Sequence, residues 1–143
     1  TVEARYTDYN EGMAAARAEG KPVLLDFTGH GCVNCRKMEA AVWTDPTVAS
    51  MLNNDFVLIS LYVDDKTPLA QPMEVTYNGA TRTLRTVGDK WSYLQASKFG
   101  ANAQPYYIAV DNAGQLLSPS YGYKEDVPAY VNFLQTALNA YRR

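Results

Sequence analysis

The sequence predicts an α/β chain: a central mixed β-sheet flanked by helices, with a β-hairpin inserted between core elements. Three observations carry this expectation. Over the first half, strand-length apolar runs alternate with helical patterns, the order expected of a βαβ unit. The second half closes with an antiparallel strand pair and a helix, which makes the sheet mixed and covers both its faces. Between the halves, Asn78-Gly79 separates two β-like segments, a strong hairpin signal because both turn residues need positive φ.

The elements follow in order. Thr7–Gly20 carries Tyr9, Met13, Ala15 and Ala16 among polar residues and stops at Gly20, an amphipathic helix with a glycine stop. Val23–Phe27 has the length of a buried strand, and two glycines make Thr28–Gly31 a loop. From Cys32, the spacing of Val33, Met38, Ala41 and Val42 predicts a second helix with Trp43 near its end. Asp45-Pro46 restarts the helix, proline being acceptable in a first turn, and Val48, Met51 and Leu52 continue its apolar face. Phe56–Val63 is the clearest strand, and its near-continuous apolarity predicts a central place in the sheet.

Lys66–Gly88 breaks the rhythm. Pro68 and Pro72 exclude a helix, and Glu74–Tyr77 and Thr81–Leu84 form the expected surface hairpin. Asp89 is the expected cap of a helix running through Trp91, Leu94, Gln95 and Phe99 to Gly100. Pro105–Val110 reads as a strand, Asp111–Gly114 as a turn and Gln115–Leu117 as the partner strand. Asp126-Val127-Pro128 opens a last helix, with Val131, Leu134, Leu138 and Tyr141 on one face.

At 143 residues the chain makes one domain, residues 1–143, that buries a core without disulfide staples. The longest apolar run, Phe56–Val63, falls far short of the ~20 residues that span a bilayer. Thirteen basic and fifteen acidic side chains leave a net charge of −2, no electrostatic reason to expect nucleic acid or an anionic lipid surface. One histidine and two cysteines cannot close a four-ligand structural zinc shell without carboxylates, so no metal site is expected. Because the chain starts at Thr1 with no basic-then-apolar leader, either a leader has been removed or the chain is a domain cut from a longer protein.

The chemistry-bearing feature is Cys32-Val33-Asn34-Cys35. This spacing sets two sulfurs about one helical turn apart, within reach of a disulfide. At a helix N-terminus the free N–H groups and the dipole stabilise a thiolate, so Cys32 is the expected attacking sulfur and Cys35 the resolving one. A structural bridge closing so short a loop would stabilise little. Chance placement of two buried thiols is the other alternative.

Two carboxylates stand near this pair in sequence. Asp26 lies inside an apolar strand, where an ionised side chain is costly; beneath the dithiol it could accept the Cys35 proton, or at a strand end it could turn to solvent. Glu39 follows Cys35 by four residues and shares its helix face, unless it is an ordinary solvated glutamate. Negative charge raises a thiol pKa, so the two are expected to oppose the helix dipole and keep Cys32 unreactive until a partner docks. Pro105 opens a strand, and the backbone of Gln104 before it could pair with a substrate chain by strand addition. His30 could tune Cys32 or merely be solvated. Trp43, Trp91, Tyr106 and Tyr107 read as core and rim packing.

Val23–Phe27, Cys32–Lys37 and the Gln104-Pro105 strand together resemble the thioredoxin superfamily, in order and spacing, over nearly the whole chain. The finer pattern, Cys-x-x-Cys-x-x-Met-Glu followed by Trp43, Asp45, Val48, Leu52, Phe56-Val57 and Val63-Asp64, is similar to the C-terminal thioredoxin-like domain of DsbD-type protein-disulfide reductases. The resemblance implies a thioredoxin-like fold, a cis bond at Pro105, and functional carboxylates at Asp26 and Glu39. It also implies a periplasmic domain excised from a longer inner-membrane protein. Electrons would come from a membrane-embedded cysteine pair and pass to another domain of the same protein. Two features depart from the family pattern: the Lys66–Gly88 insertion, and Gly31 where a tryptophan usually precedes the first cysteine.

The expected activity is therefore thiol–disulfide exchange with protein dithiols and disulfides, in the reducing direction, by a monomer that needs no bound cofactor. A stand-alone thioredoxin-like reductase or isomerase, a module handling a soft ion such as Cu(I), and a binding module with a vestigial dithiol are the other readings.

Overall fold

The computed structural model describes all of residues 1–143. Helix α1 (Tyr9–Glu19) leads into strand β1 (Val23–Thr28), then α2 (Val33–Ala41), α3 (Pro46–Ser50) and a π-helical turn, Met51–Asp55. Strand β2 (Val57–Tyr62) is followed by β3 (Pro68–Tyr77), β4 (Ala80–Thr86), α4 (Val87–Phe99), β5 (Tyr106–Val110) and α5 (Val127–Tyr141). The core sheet has the order β2-β1-β5, with β1 parallel to β2 and antiparallel to β5. The chain thus has the expected mixed sheet between two helical layers.

The period-2 alternation of β1 sorts its side chains between two cores. Val23, Leu25 and Phe27 pack with Met13, Ala16 and Trp91 on the α1/α4 face. Leu24 packs with Met38, Trp43, Tyr130 and Leu134 on the α2/α5 face. Asp26, two residues on, shares the face of Leu24, and so points toward the layer that holds the dithiol helix.

The expected elements correspond to observed ones, with these corrections. β2 lies at the edge of the strand order, not at its centre; β1 is central. The apolar run of β2 reports cover on both faces, which the helical layers supply at an edge as well, and Tyr6 bridges its outer side at Ile59. Gln115–Leu117 forms no regular strand; single bridges, Val110 with Leu116 and Tyr107 with Tyr121, take its place. Thr86, not Asp89, caps α4: Asp89 is the reciprocal member of a capping box and bonds back to the Thr86 amide.

The hairpin forms where Asn78-Gly79 predicts it, with φ of 52° and 76° at the two turn residues. Its strands run longer than expected because Pro72 falls at a register shift between Pro68 and Met73, where a missing N–H costs no ladder bond. Leu84 is buried, and Tyr77 Oη donates to Ala96 O on α4 at 3.1 Å, which ties the hairpin to that helix. Its base closes through Val87 N to Thr67 O and Gly88 N to Asp65 O. No helix is long and apolar enough to cross a membrane.

Candidate active site

Cys32 is the N-cap of α2, and its Sγ accepts a hydrogen bond from Cys35 N at 3.2 Å. The two cysteines are disulfide-bonded, with a Cα–Cα distance of 5.3 Å. Cys32 is half-buried and Cys35 is 1% exposed, so only the first sulfur can be approached by another chain. This asymmetry follows from helix geometry, since the N-cap lies at the rim and a residue one turn in lies against the sheet.

The loop before Cys32 is held from the end of β2. Asp64 accepts from His30 N at 2.8 Å and from Gly31 N at 2.9 Å. These amides hold the Asp64 carboxyl below the usual carboxylate range, the Gly31 bond contributing most. The exposed His30 ring stacks on Tyr62 with centroids 3.9 Å apart.

Asp26 is buried at 2% exposure, not turned to solvent. Burial pushes its carboxyl up to about 7; a hydrogen bond from Ser60 works against that rise, while the charge of Glu39 adds to it. Glu39 sits one-third exposed on α2, paired with Arg36 at 3.0 Å, and burial raises its carboxyl despite that partner. Arg36 also donates to Thr28 Oγ1 at 3.1 Å, which fastens the dithiol helix to the end of β1. Asp26, Ser60, Glu39, Trp43 and Tyr62 line one cleft of about 670 Å³, so the two carboxylates share an opening to water.

The peptide bond between Gln104 and Pro105 is cis, and Pro105 is buried. β5 opposes β1 with Tyr106 level with Phe27, so Pro105 precedes β5 at the end of the sheet from which the loop to Cys32 leaves. Of the six expected residues, Cys32 and Cys35 stand at the start of α2, Asp26 and Glu39 line the cleft, and Gln104 and Pro105 immediately precede β5. Trp43, Trp91 and Tyr107 are core residues, and Tyr106 is half-buried at the rim.

Sequence reasoning assigned no role to Ser60, Asp64 or Arg36. A serine in the middle of an otherwise apolar strand was the available signal for Ser60, since a buried hydroxyl needs a partner. No group of three or more His, Cys, Asp or Glu side chains is placed to hold a metal ion.

Residues 4–83 match the thioredoxin-like family profile, more than half of the chain. The chain belongs to the thioredoxin-like family. Among curated proteins it is 34% identical over 87 residues to thiol:disulfide interchange protein DsbD 1 of Pseudomonas aeruginosa; the match covers 58% of this chain but only 15% of that relative. Among solved structures, the chain superposes on a DsbH oxidoreductase with a TM-score of 0.66 at 18% identity, over 97% of this chain and 87% of the other. It superposes on the C-terminal domain of Neisseria meningitidis DsbD in the reduced form with a TM-score of 0.64 at 17% identity, over 92% and 98%. At these identities the two superpositions establish the fold. With the Cys32–Cys35 pair in place, the molecule is a thioredoxin-like chain that carries a Cys-x-x-Cys disulfide at the start of a helix.

Proposed function

We propose that this thioredoxin-like chain works as a reductant relay of the DsbD type, a periplasmic domain of a longer membrane protein. The observation that carries the reading is the asymmetry of the pair: an approachable Cys32 sulfur at the α2 N-terminus over a buried Cys35.

In the reducing direction the Cys32 thiolate attacks one sulfur of a partner disulfide. A Cys32–partner bond forms, the partner S–S bond breaks, and one partner thiolate leaves. Cys35 then gives its proton to Asp26 and attacks Cys32 Sγ, which re-forms the Cys32–Cys35 bond and releases the second partner thiolate. Two electrons pass to the partner, and protons reach its thiolates from solvent. Asp26 suits the acceptor role because its carboxyl exchanges near neutral pH and opens on the cleft it shares with Glu39. Pro105 and the Gln104 backbone receive the partner chain beside the dithiol. The electrons come from a membrane-embedded cysteine pair and go to another domain of the same protein.

Two measurements test this. Equilibration in dithiothreitol buffers is expected to give a reduction potential near or below the ~−270 mV of thioredoxin; a value near the ~−120 mV of strong oxidants would overturn the reductant role. Cys35→Ser is expected to trap a mixed disulfide through Cys32. Adducts formed only through Cys35, in the reciprocal variant, would reverse the assigned roles.

A further inference from the structure

Gln95, in the last turns of α4, is fully buried at 0% exposure. A side-chain amide in that position is costly unless both its ends are hydrogen-bonded. Both are, and to one short segment. Gln95 Nε2 donates to Ala103 O at 2.8 Å, and Gln95 Oε1 accepts from Gln104 Nε2 at 2.8 Å. The Ala103 carbonyl can only accept, which fixes the orientation of the Gln95 amide and makes Gln104 the donor of the second bond. Gln104 Nε2 also reaches Asn102 O at 3.4 Å.

The Gln104 side chain is therefore folded back onto the protein. Its backbone N–H and C=O take part in none of the hydrogen bonds of the fold, although the residue is half-exposed. An apolar side chain would fill the Gln95 position in the core, but would leave the residues before Pro105 unanchored. The hairpin braces the same place, since Tyr77 Oη bonds to Ala96 O next door.

We propose that Gln95 is a positioning residue for partner recognition: it clamps Ala103 and Gln104 so that the unpaired Gln104 backbone stands ready to pair with the main chain of a partner polypeptide carrying the disulfide. This rests on the thiol–disulfide reading above, in which the Gln104 backbone receives the partner chain, and adds to it the residue that holds that backbone in place. A small disulfide with no peptide backbone gains nothing from the clamp.

The test compares insulin with hydroxyethyl disulfide as substrates of the wild-type chain, Gln95→Met and Gln95→Leu. Gln95→Met removes both bonds at similar volume. Gln95→Leu removes them with a second apolar shape suited to a buried helical position, and decides the matter if the first variant folds poorly. For both variants the KM for insulin is expected to rise about tenfold, with kcat and the hydroxyethyl disulfide rate within about twofold of wild type. An unchanged KM for insulin in a folded variant, or an equal loss on both substrates, overturns the proposal. A wild-type chain that reduces hydroxyethyl disulfide but not insulin removes the protein-disulfide reading and this one together; full wild-type activity on both with indistinguishable variants removes this one alone.

Discussion

Ser60 Oγ donates a 2.7 Å hydrogen bond to Asp26 Oδ2 from the register-matched position of the neighbouring parallel strand. It is the sole side-chain hydrogen bond that Asp26 receives in a place otherwise hostile to charge, and it moderates, without cancelling, the effect of burial.

The stability of the oxidised chain is expected to fall as pH rises from about 4 to about 7 on account of Asp26. The unfolded carboxyl loses its proton near ~3.9, whereas the folded one keeps it to about 7, so the native state binds more protons across that window. Asp26→Asn is accordingly expected to be stabilising at pH 8 by on the order of 2–4 kcal/mol, with the gain absent below pH 4. Urea melts at both pH values check this, and an equal gain at both would refute it.

Glu39→Gln is expected to lower the Cys32 pKa in the reduced chain, by about half a unit, because it removes a negative charge and leaves Arg36 without its partner. Alkylation rates of Cys32 against pH measure it. A raised pKa would show that the carboxylates do not oppose the helix dipole.

Asp64→Ala is expected to cost about 1 kcal/mol, since two loop amides lose a charged acceptor, and to speed Cys32 alkylation by loosening the loop. The folded Asp64 carboxyl is depressed, so its contribution is present above the unfolded pKa near ~3.9 and lost as pH falls through the folded value. Melts of the variant and wild type should converge in acid.

Gly88→Ala is expected to destabilise by about 3 kcal/mol. A Cβ there would meet Asp65 N and O at 2.8 Å and Val63 O closer still, and backbone cannot move aside as a side chain can. Thermal melts read the loss, and a neutral substitution would mean that the hairpin base is free to shift.

The legible parts of this fold are those decided locally. Asn78-Gly79 announces its turn because positive φ is a property of the two residues themselves, and Cys32-x-x-Cys35 announces its chemistry because one helical turn sets the spacing. Asp26 was legible as a costly charge in an apolar strand. The position of β2 was not, because apolarity on both faces reports cover and says nothing of neighbours. Thr86 was hidden as a cap because it also ends a strand. Gln95 is the clearest failure: on a helix beside Trp91 and Leu94 it occupies a core position, and its meaning depends on Ala103 and Gln104, which only the fold brings to it.

The hydrogen bond from Cys35 N to Cys32 Sγ ties the helix to the oxidation state of the sulfur it holds. In the disulfide that sulfur is a weak, neutral acceptor; as a thiolate it becomes a charged one, and such bonds are roughly twice as strong. The first turn of α2 is then tighter once the reduced Cys32 has lost its proton than in the disulfide. Protection of the Cys35 amide against hydrogen exchange becomes a gauge of thiolate formation, readable without alkylating either thiol.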